Sequence, residues 1–515
     1  MAGAARIALP EPAAPPSGGA LVLTGVILAL GNFMVVLDTT IANVSVPNIA
    51  GGLAVSPDEG TWVITSYAVA EAIVVPLTGW LAGRFGAVRM FLAAILGFGA
   101  CSFLCGLAPS LGLLVLFRIM QGLCGGPIMP MSQTLLMKIF PPHQRAQAMG
   151  LWSMTTVVAP ILGPILGGSL CDNIGWPWIF YINIPVVAAV AILGMRMLRP
   201  HETEIERRPV DVVGLVLLIL FVGALQIMFD KGRELDWFGS PFIVALAILA
   251  AVGFAAFLIW ELTDPHPIVD LRVFRHRGFT SAVITIGLAF GTFFSTVVLV
   301  PLWLQTNMGY TATWAGYVTG FGGVLAVVFS PIAARLMGRF DPRVLVSFGV
   351  GGFAVIALVR SQLSTDANFW TIALPFLAQG VTIPFFFIPT SQLALSSVLP
   401  REMASAAGLS NFLRTTSAAF ATSIVTTWWA DAGQRLHSDL AGRLDPRGAL
   451  DTMQASGLSP AQAVAQLDAI TDGQSVMLAT NQMFLLTCAV FLAAAAAIWL
   501  SPRPKPAAAP AMAGH

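Results

Sequence analysis

Residues 21–46 read LVLTGVILALGNFMVVLDTTIANVSV, an apolar run whose only charged residue is Asp38. A helix needs about 20 apolar residues to cross the ~30 Å core of a bilayer. The whole chain has a matching composition, with 57% hydrophobic and 10% charged residues over 515 positions. An ordinary soluble domain has about 25% charged residues. We therefore expect an all-α integral membrane protein.

The same length criterion predicts fourteen membrane-spanning helices along the chain. Short connectors that carry Gly, Pro and charge separate them, because irregular backbone cannot lie exposed in lipid. The predicted spans are 21–46, 61–82, 88–108, 110–137, 148–170, 178–198, 211–229, 240–262, 279–304, 313–336, 344–361, 369–397, 404–429 and 477–500.

An imperfect repeat divides these spans into two halves. Residues 79–89 (GWLAGRFGAVR) end the second span and residues 331–343 (PIAARLMGRFDPR) end the tenth. Transporter folds are often built from such internal repeats. We expect two pseudo-symmetric six-helix bundles with an inserted helix pair, spans seven and eight. The predicted units are a disordered cytoplasmic N-terminus (1–20), an N-terminal bundle (21–198), the inserted pair (211–262), a C-terminal bundle (279–500) and a cytoplasmic tail (501–515).

The distribution of Lys and Arg predicts the orientation. Short cytoplasmic loops carry an excess of these residues, and most of the 26 in this chain lie in the loops on the side of the N-terminus. Both termini are then cytoplasmic, and residues 1–20 lack the features of a cleaved signal peptide. The residues assigned to the opposite side are Lys231, Arg233, Arg360, Arg435, Arg443 and Arg447.

One connector, the polar stretch 430–476, is much longer than the others. The predicted topology places it in the periplasm, and its amphipathic pattern predicts local folding. It is either a solvated insertion or a docking surface for a periplasmic partner.

Four of the ionisable residues within predicted spans stand out: Asp38, Glu71, Arg118 and Arg414. Such residues are costly in a membrane and usually face the bundle interior or a water cavity. With a rise of 1.5 Å per residue, the first three lie at a similar depth of about 13–15 Å from the outer ends of their helices. We expect them to meet in one layer and to serve in proton coupling, although a permanent ion pair that only fixes helix packing is the alternative.

Candidate cavity residues lie on the same segments. Arg414 is placed at mid-depth in the thirteenth span, where it either contacts substrate or bonds to backbone carbonyls of a neighbouring helix. The other candidates for the substrate cavity are Met34, Asn43, Gln121 and Asn411.

Two further motifs combine small residues with proline or arginine. In the fifth span, PILGPILGG over 160–168 repeats small residues and prolines, which allow close helix approach and kinks. It predicts a pliable packing seam, or tight packing alone, at Pro160, Gly163, Pro164, Gly167 and Gly168. After the second span, a candidate cytoplasmic gate loop contains Gly79, Arg84, Gly86 and Arg89.

Several runs resemble the fourteen-span drug:proton antiporters of the major facilitator superfamily, and among them the EmrB-type exporters. The resemblance covers nearly the whole chain. The runs are LDTTIANVSVP (37–47), GTWVITSY (60–67), RIMQG (118–122), PILGPILGG (160–168), LDWF (235–238), GYTATWAG (309–316) and NFLR (411–414).

This resemblance implies that Asp38 is the acidic site of the first span, Arg118 the arginine linked to proton transfer, and 160–168 the antiporter signature. It implies a location in a Gram-negative inner membrane, with no cofactor and with the proton gradient as the energy source. It also implies two partners, a periplasmic EmrA-like adaptor and a TolC-like outer-membrane channel. Two residues depart from the family pattern. Gly83 stands where an acidic residue is expected, and Glu71 where a neutral one is expected.

We therefore predict a transporter that exports hydrophobic or amphipathic drugs in exchange for protons. A dedicated exporter of one metabolite or siderophore is an alternative. A membrane-embedded transferase is disfavoured because no cluster of catalytic or metal-ligating residues lies at a membrane face, and the five cysteines show no metal-ligand spacing. The sequence GxxxxGK[ST] of ATP-binding loops is absent.

Overall fold

The computed structural model describes residues 18–203, 205 and 209–502, and all regular structure in that part of the chain is helical. The predicted N-terminal segment 1–20 and the predicted tail 501–515 lie almost wholly outside the described residues. The fold is therefore built from helices that pack along one another within a membrane-sized layer.

We number the long helices, and one short helix between the last two, from α1 to α15. They are α1 (Gly19–Gly52), α2 (Trp62–Phe85), α3 (Ala87–Gly106), α4 (Leu111–Ile139), α5 (Arg145–Asn173), α6 (Trp178–Met197), α7 (Val212–Lys231), α8 (Pro241–Thr263), α9 (Arg277–Thr306), α10 (Thr313–Leu336), α11 (Pro342–Arg360), α12 (Phe369–Ser396), α13 (Met403–Arg443), α14 (Pro446–Ala455) and α15 (Pro460–Leu500).

Twelve of the described helices are long and apolar enough to cross a membrane, and α5 makes a thirteenth if its two arms, which meet at 46° between Pro160 and Ile165, form one span. The remaining predicted span, 404–429, is the first part of α13. This helix is too polar to meet the same criterion, but it packs along α9 and α15, which both meet it. All fourteen predicted segments therefore correspond to helices.

The helices pack as two bundles with an added pair. In the first bundle α1 packs along α5 and α2 along α4, while in the second α10 packs along α12 and α9 along α13. Helices α7 and α8 pack on each other, and α7 also contacts α2 and α13. Helix α7 of the inserted pair therefore touches both bundles.

The two bundles approach each other closely at one end of the molecule, where α2 ends and α13 begins. We call this end the terminal side. A Cβ atom added to Gly79 would lie 2.0 Å from Ser405 Oγ, and one added to Gly408 would lie 2.8 Å from the carbonyl oxygen of Val75. Deeper in the molecule, Asn411 Nδ2 donates to Gln133 Oε1 at 2.6 Å. Small residues and one inter-bundle hydrogen bond thus close this side.

The polar connector 430–476 is mostly helical. Helix α13 continues to Arg443, and α15 begins at Pro460. Side chains start the two later helices, since Asp445 accepts from the Arg447 amide and Ser459 forms a capping box with Gln462. At 1.5 Å per residue α13 and α15 are each about 60 Å long, so both project far beyond the ~30 Å hydrocarbon core.

Candidate functional site

Asp38 of α1 and Arg118 of α4 form an ion pair in the interior of the first bundle. Arg118 Nη1 lies 2.6 Å from Asp38 Oδ2, and the side chains are 0% and 1% exposed. The guanidinium also donates to the Val63 carbonyl at 3.0 Å and stacks on the Tyr67 ring at 4.2 Å. A buried charge is tolerable only with such partners.

Two amides complete the environment of Asp38. Gln121 Nε2 donates to Asp38 Oδ1 at 3.1 Å, and its Oε1 accepts from Arg118 at 2.8 Å. Asn183 Nδ2 of α6 donates to the same Oδ1 at 2.8 Å. The Asp38 carboxylate therefore has three donors from two other helices. Arg118 Nη2 is buried without a partner, which leaves the pair with one spare donor.

A cavity of 340 Å³ lies between the two bundles. The second bundle contributes an aromatic wall, formed by Phe290, Phe293, Phe294, Phe376 and Phe387. The wall on the side of α1 and α2 includes Asn43 and Glu71, and α7 adds Gln226 and Asp230. The cavity is mainly apolar with a few polar groups, as is usual for small-molecule sites.

Glu71 does not join the buried ion pair, although the predicted depth is similar. Among the described residues it makes no ion pair, and its side chain lines the cavity. The structure thus brings Asp38 and Arg118 into contact, whereas the side chain of Glu71 lies on the cavity wall. Depth along a helix defines the layer of a residue but not the direction in which it points.

Arg414 of α13 also lines the cavity. Its guanidinium lies 5.3 Å from the ring centres of Trp152 and Phe290, and Nη2 lies 3.5 Å from Met129 Sδ. No carboxylate of the described residues lies within ion-pair distance of it. Arg414 is therefore held by aromatic and sulfur contacts, and not by the backbone carbonyls that were the alternative.

The remaining cavity candidates lie elsewhere. Met34 is fully buried in the core of the first bundle. Gln121 belongs to the ion-pair network described above. Asn411 bonds to Gln133 on the terminal side of the cavity. Of the five candidates, only Asn43 and Arg414 face the cavity.

The glycine and proline run of α5 lies against α1. A Cβ on Gly163 would lie 2.3 Å from Thr40 Oγ1, and one on Gly167 would lie 3.3 Å from the Ile41 carbonyl. Gly168 has no neighbour within 4 Å at the corresponding position, and Pro160 lines the cavity. The side chain of Pro164 lies outside the described residues. The run therefore joins the cavity to the helix that carries Asp38.

The candidate gate loop is tied to the connector after α6. Glu202 accepts from the Val88 and Arg89 amides at 2.9 and 3.0 Å and lies 3.8 Å from the Arg89 guanidinium. Gly86 has φ of +88°, which favours glycine, while Arg84 lies over the Trp80 ring at 5.3 Å. Burial and the ammonium of Lys138 lower the pKa of nearby His201, so this residue is neutral at neutral pH.

Three features of the site were not predicted from the sequence. Asn183 lies in a mainly apolar predicted span. The only sequence signal for it was an amide side chain among apolar neighbours. Asp230 follows the predicted end of the seventh span by one residue and was therefore treated as part of a loop. Arg360 was counted as an outer loop cation, yet it is 3% exposed. Its Nη2 donates to Gln379 Oε1 at 2.7 Å, and its guanidinium lies 3.7 Å from the centre of the Phe376 ring.

No group of three or more His, Cys, Asp or Glu residues within the described ranges is arranged to hold a metal ion. A family model of the Major Facilitator Superfamily matches residues 28–422. This chain belongs to that superfamily, in its EmrB-type group.

The curated relatives match almost end to end. The chain is 42% identical over 496 residues to the Multidrug export protein EmrB of Escherichia coli K12, covering 95% of this chain and 97% of that protein. It is 43% identical to the protein of the same name from Haemophilus influenzae, with the same coverage. The Fatty acid resistance protein FarB of Neisseria gonorrhoeae is 42% identical over 95% of this chain and 98% of its own length.

Solved structures share the fold at low sequence identity. A double Trp mutant of XylE aligns with a TM-score of 0.57 and 16% identity, covering 94% of this chain and 96% of that one. The human organic anion transporter MFSD10 aligns with a TM-score of 0.56 and 13% identity, covering 92% of this chain and 100% of that one. The family match, the curated relatives and the apolar helices identify a multi-pass inner-membrane transporter and not an enzyme.

Proposed function

We propose that this EmrB-type protein exports hydrophobic and amphipathic drugs in exchange for protons. The observation that carries the proposal is the juxtaposition of an apolar cavity, with Glu71 on its wall, and the buried pair of Asp38 and Arg118 behind the same helices. Curated relatives named as multidrug export proteins support the drug substrates.

Asp38 is the proton carrier in this scheme. When a proton from the outer side binds Asp38, the carboxylate loses the charge that compensates Arg118, so the ion pair breaks. The freed guanidinium then needs a new acceptor, because an unpaired buried charge is strongly disfavoured. Movement of α4 relative to α1 satisfies that need and couples proton entry to the exposure of the cavity.

The orientation follows from the positive charges of the loops. Both termini and the closed terminal side are cytoplasmic, so substrate enters from the cytoplasm or the inner leaflet when that side opens. The projecting part of α13, α14 and the first part of α15 then lies in the periplasm. There it offers a surface for an EmrA-like adaptor and a TolC-like channel, and the protein is the inner-membrane part of a tripartite pump.

A second candidate is export of amphipathic carboxylates such as fatty acids. Arg414 favours it, because this guanidinium lines the cavity without a carboxylate partner among the described residues. The name of the relative FarB points the same way. The same cavity and proton carrier would serve either substrate.

The test uses everted membrane vesicles that contain the protein and a pH-sensitive dye. The vesicles are first acidified by respiration and then given drugs or fatty acids. Proton exchange predicts that a substrate collapses part of the pH gradient within seconds, and to a greater extent than in vesicles without the protein, where hydrophobic acids and bases move protons only by crossing the lipid unaided. A full panel of both compound classes without any such excess response, at normal expression, would contradict the proposal.

A further inference from the structure

Two acidic residues of the inserted helix pair lie outside the mechanism described above. Asp211 caps the start of α7, where its Oδ1 accepts from the Gly214 amide at 2.8 Å and from Trp260 Nε1 at 2.9 Å. Glu261 lies near the end of α8 and is 0% exposed. Its Oε2 accepts from the Val269 amide at 3.2 Å. Each carboxyl group therefore has one oxygen in use.

The other two oxygens lie beside the same glycine. Asp211 Oδ2 and Glu261 Oε1 are both buried without a hydrogen-bond partner among the described residues. A Cβ added to Gly214 would lie 2.2 Å from Asp211 Oδ2 and 2.5 Å from Glu261 Oε1, so both oxygens converge on the space beside this glycine. Two ionised carboxylates cannot remain so close in a buried site without a cation or a proton between them.

The surrounding charges do not provide the cation. Neither acid forms an ion pair among the described residues. On the connector after α8, Arg272 donates to the Asp264 carbonyl at 3.2 Å, and Arg275 pairs with Glu402 at 2.5 Å. On α2, Arg84 lies over Trp80. Asp264, three residues after Glu261, is also acidic.

The geometry points to a buried proton-binding site formed by Asp211 and Glu261. One proton joins Asp211 Oδ2 to Glu261 Oε1 and leaves the pair with a single negative charge. Two oxygens are sufficient to hold a proton, whereas calcium takes six to eight oxygen ligands and magnesium six.

The site links three parts of the chain. It joins the first turn of α7, the last turn of α8 and, through the Val269 amide, the connector that leads to α9. Loss of the proton would leave two carboxylates to repel each other at this junction. The bound proton therefore holds the inserted pair to the entry of the second bundle. The inference is independent of the role proposed for Asp38.

The test is infrared spectroscopy of the purified full-length protein at neutral pH. Protonated carboxylic acids have a carbonyl stretch that carboxylates lack. The wild-type spectrum should contain one such band that disappears in Glu261→Gln. The same band should disappear in Asp211→Asn, and the double variant should lose nothing further, because the two acids share one proton. Asp264→Asn, a substitution at the neighbouring acid, should leave the band in place.

Thermal unfolding shows whether the fold is kept. The amide of Glu261→Gln can donate to Asp211 Oδ2 while its oxygen accepts from Val269, so this variant should unfold within about 2 °C of the wild type. If both single variants fold and their spectra show the same carboxylic acid band as the wild type, the proposal is overturned. A second outcome would equally overturn it. If the wild-type protein lacks the band and its unfolding temperature rises on adding sodium or magnesium, the two acids bind a metal cation instead of a proton.

Discussion

Asp38 and Asn183 are joined by a hydrogen bond of 2.8 Å in the buried interior of the first bundle. Asn183 lies on α6 and also donates to Ser102 Oγ at 3.0 Å. It therefore connects the acidic residue of α1 to α3, in addition to the ion pair with α4. The carboxylate is positioned directly by α4 and α6, and through Asn183 it is linked to α3, so Arg118 does not position it alone.

Replacing Asn183 should weaken the fold through this bond. A hydrogen bond to a charged group contributes about 1.5–3 kcal/mol, so Asn183→Ala should lower the free energy of unfolding by about this amount. The measurement is chemical unfolding of the purified protein in detergent. Asn173→Ala is the matched control, because the exposed Asn173 bonds only to the Ser169 carbonyl of its own helix. Equal stability of both variants would contradict the arrangement.

Glu71 should favour positively charged ligands. Its carboxylate lies on the cavity wall without an ion pair among the described residues, opposite a set of phenyl rings that also attract cations. Tetraphenylphosphonium and tetraphenylborate have nearly the same size and opposite charge. Glu71→Gln should weaken binding of the cation about tenfold, a change of ~1.4 kcal/mol, and leave binding of the anion equal or tighter.

Binding of both ions can be followed by equilibrium dialysis with the purified protein. Glu59→Gln is the control, since Glu59 is an exposed acid bonded to Ser56 outside the cavity. An equal loss of both ions in Glu71→Gln would show that the carboxylate maintains the cavity and does not recognise charge.

Gly163 should be essential for the contact between α5 and α1. A Cβ at this position would lie 2.3 Å from Thr40 Oγ1, so Gly163→Ala must move one helix away from the other. We expect a loss of transport of at least about tenfold, which corresponds to ~1.4 kcal/mol. Gly168→Ala, five residues along the same helix, meets no atom within 4 Å and should transport normally. Drug efflux from intact cells, corrected for expression, distinguishes the two.

The sequence was sufficient for the helices and for the central ion pair. Apolar length predicted every span, and counting residues from helix ends placed Asp38 and Arg118 at one depth, where they are in contact. The same counting placed Glu71 there too, but its helix points that side chain to the cavity. Rotation about the helix axis depends on packing against neighbours, which one sequence does not reveal.

The other differences lie at helix ends. Asp230 lies in the last turn of α7, and a predicted boundary two residues too early placed it in a loop. Arg360 lies in the last turn of α11 and inside the predicted span 344–361, but its charge led to its assignment to the outer loop. For the connector 430–476, the sequence predicted a location but not the length of the helices. Its polar composition predicted a position outside the membrane, but not that α13 and α15 continue into it as unbroken helices.

The most direct test of proton coupling compares wild type with Asp38→Asn in proteoliposomes that carry an imposed pH gradient. Asparagine keeps the size of the side chain and cannot release a proton. The account predicts that the variant still binds drug, but that the pH gradient no longer drives uptake and drug no longer moves protons. Asp38→Glu should retain part of both activities. Normal proton-driven transport by Asp38→Asn would contradict the assignment of Asp38 as the proton carrier.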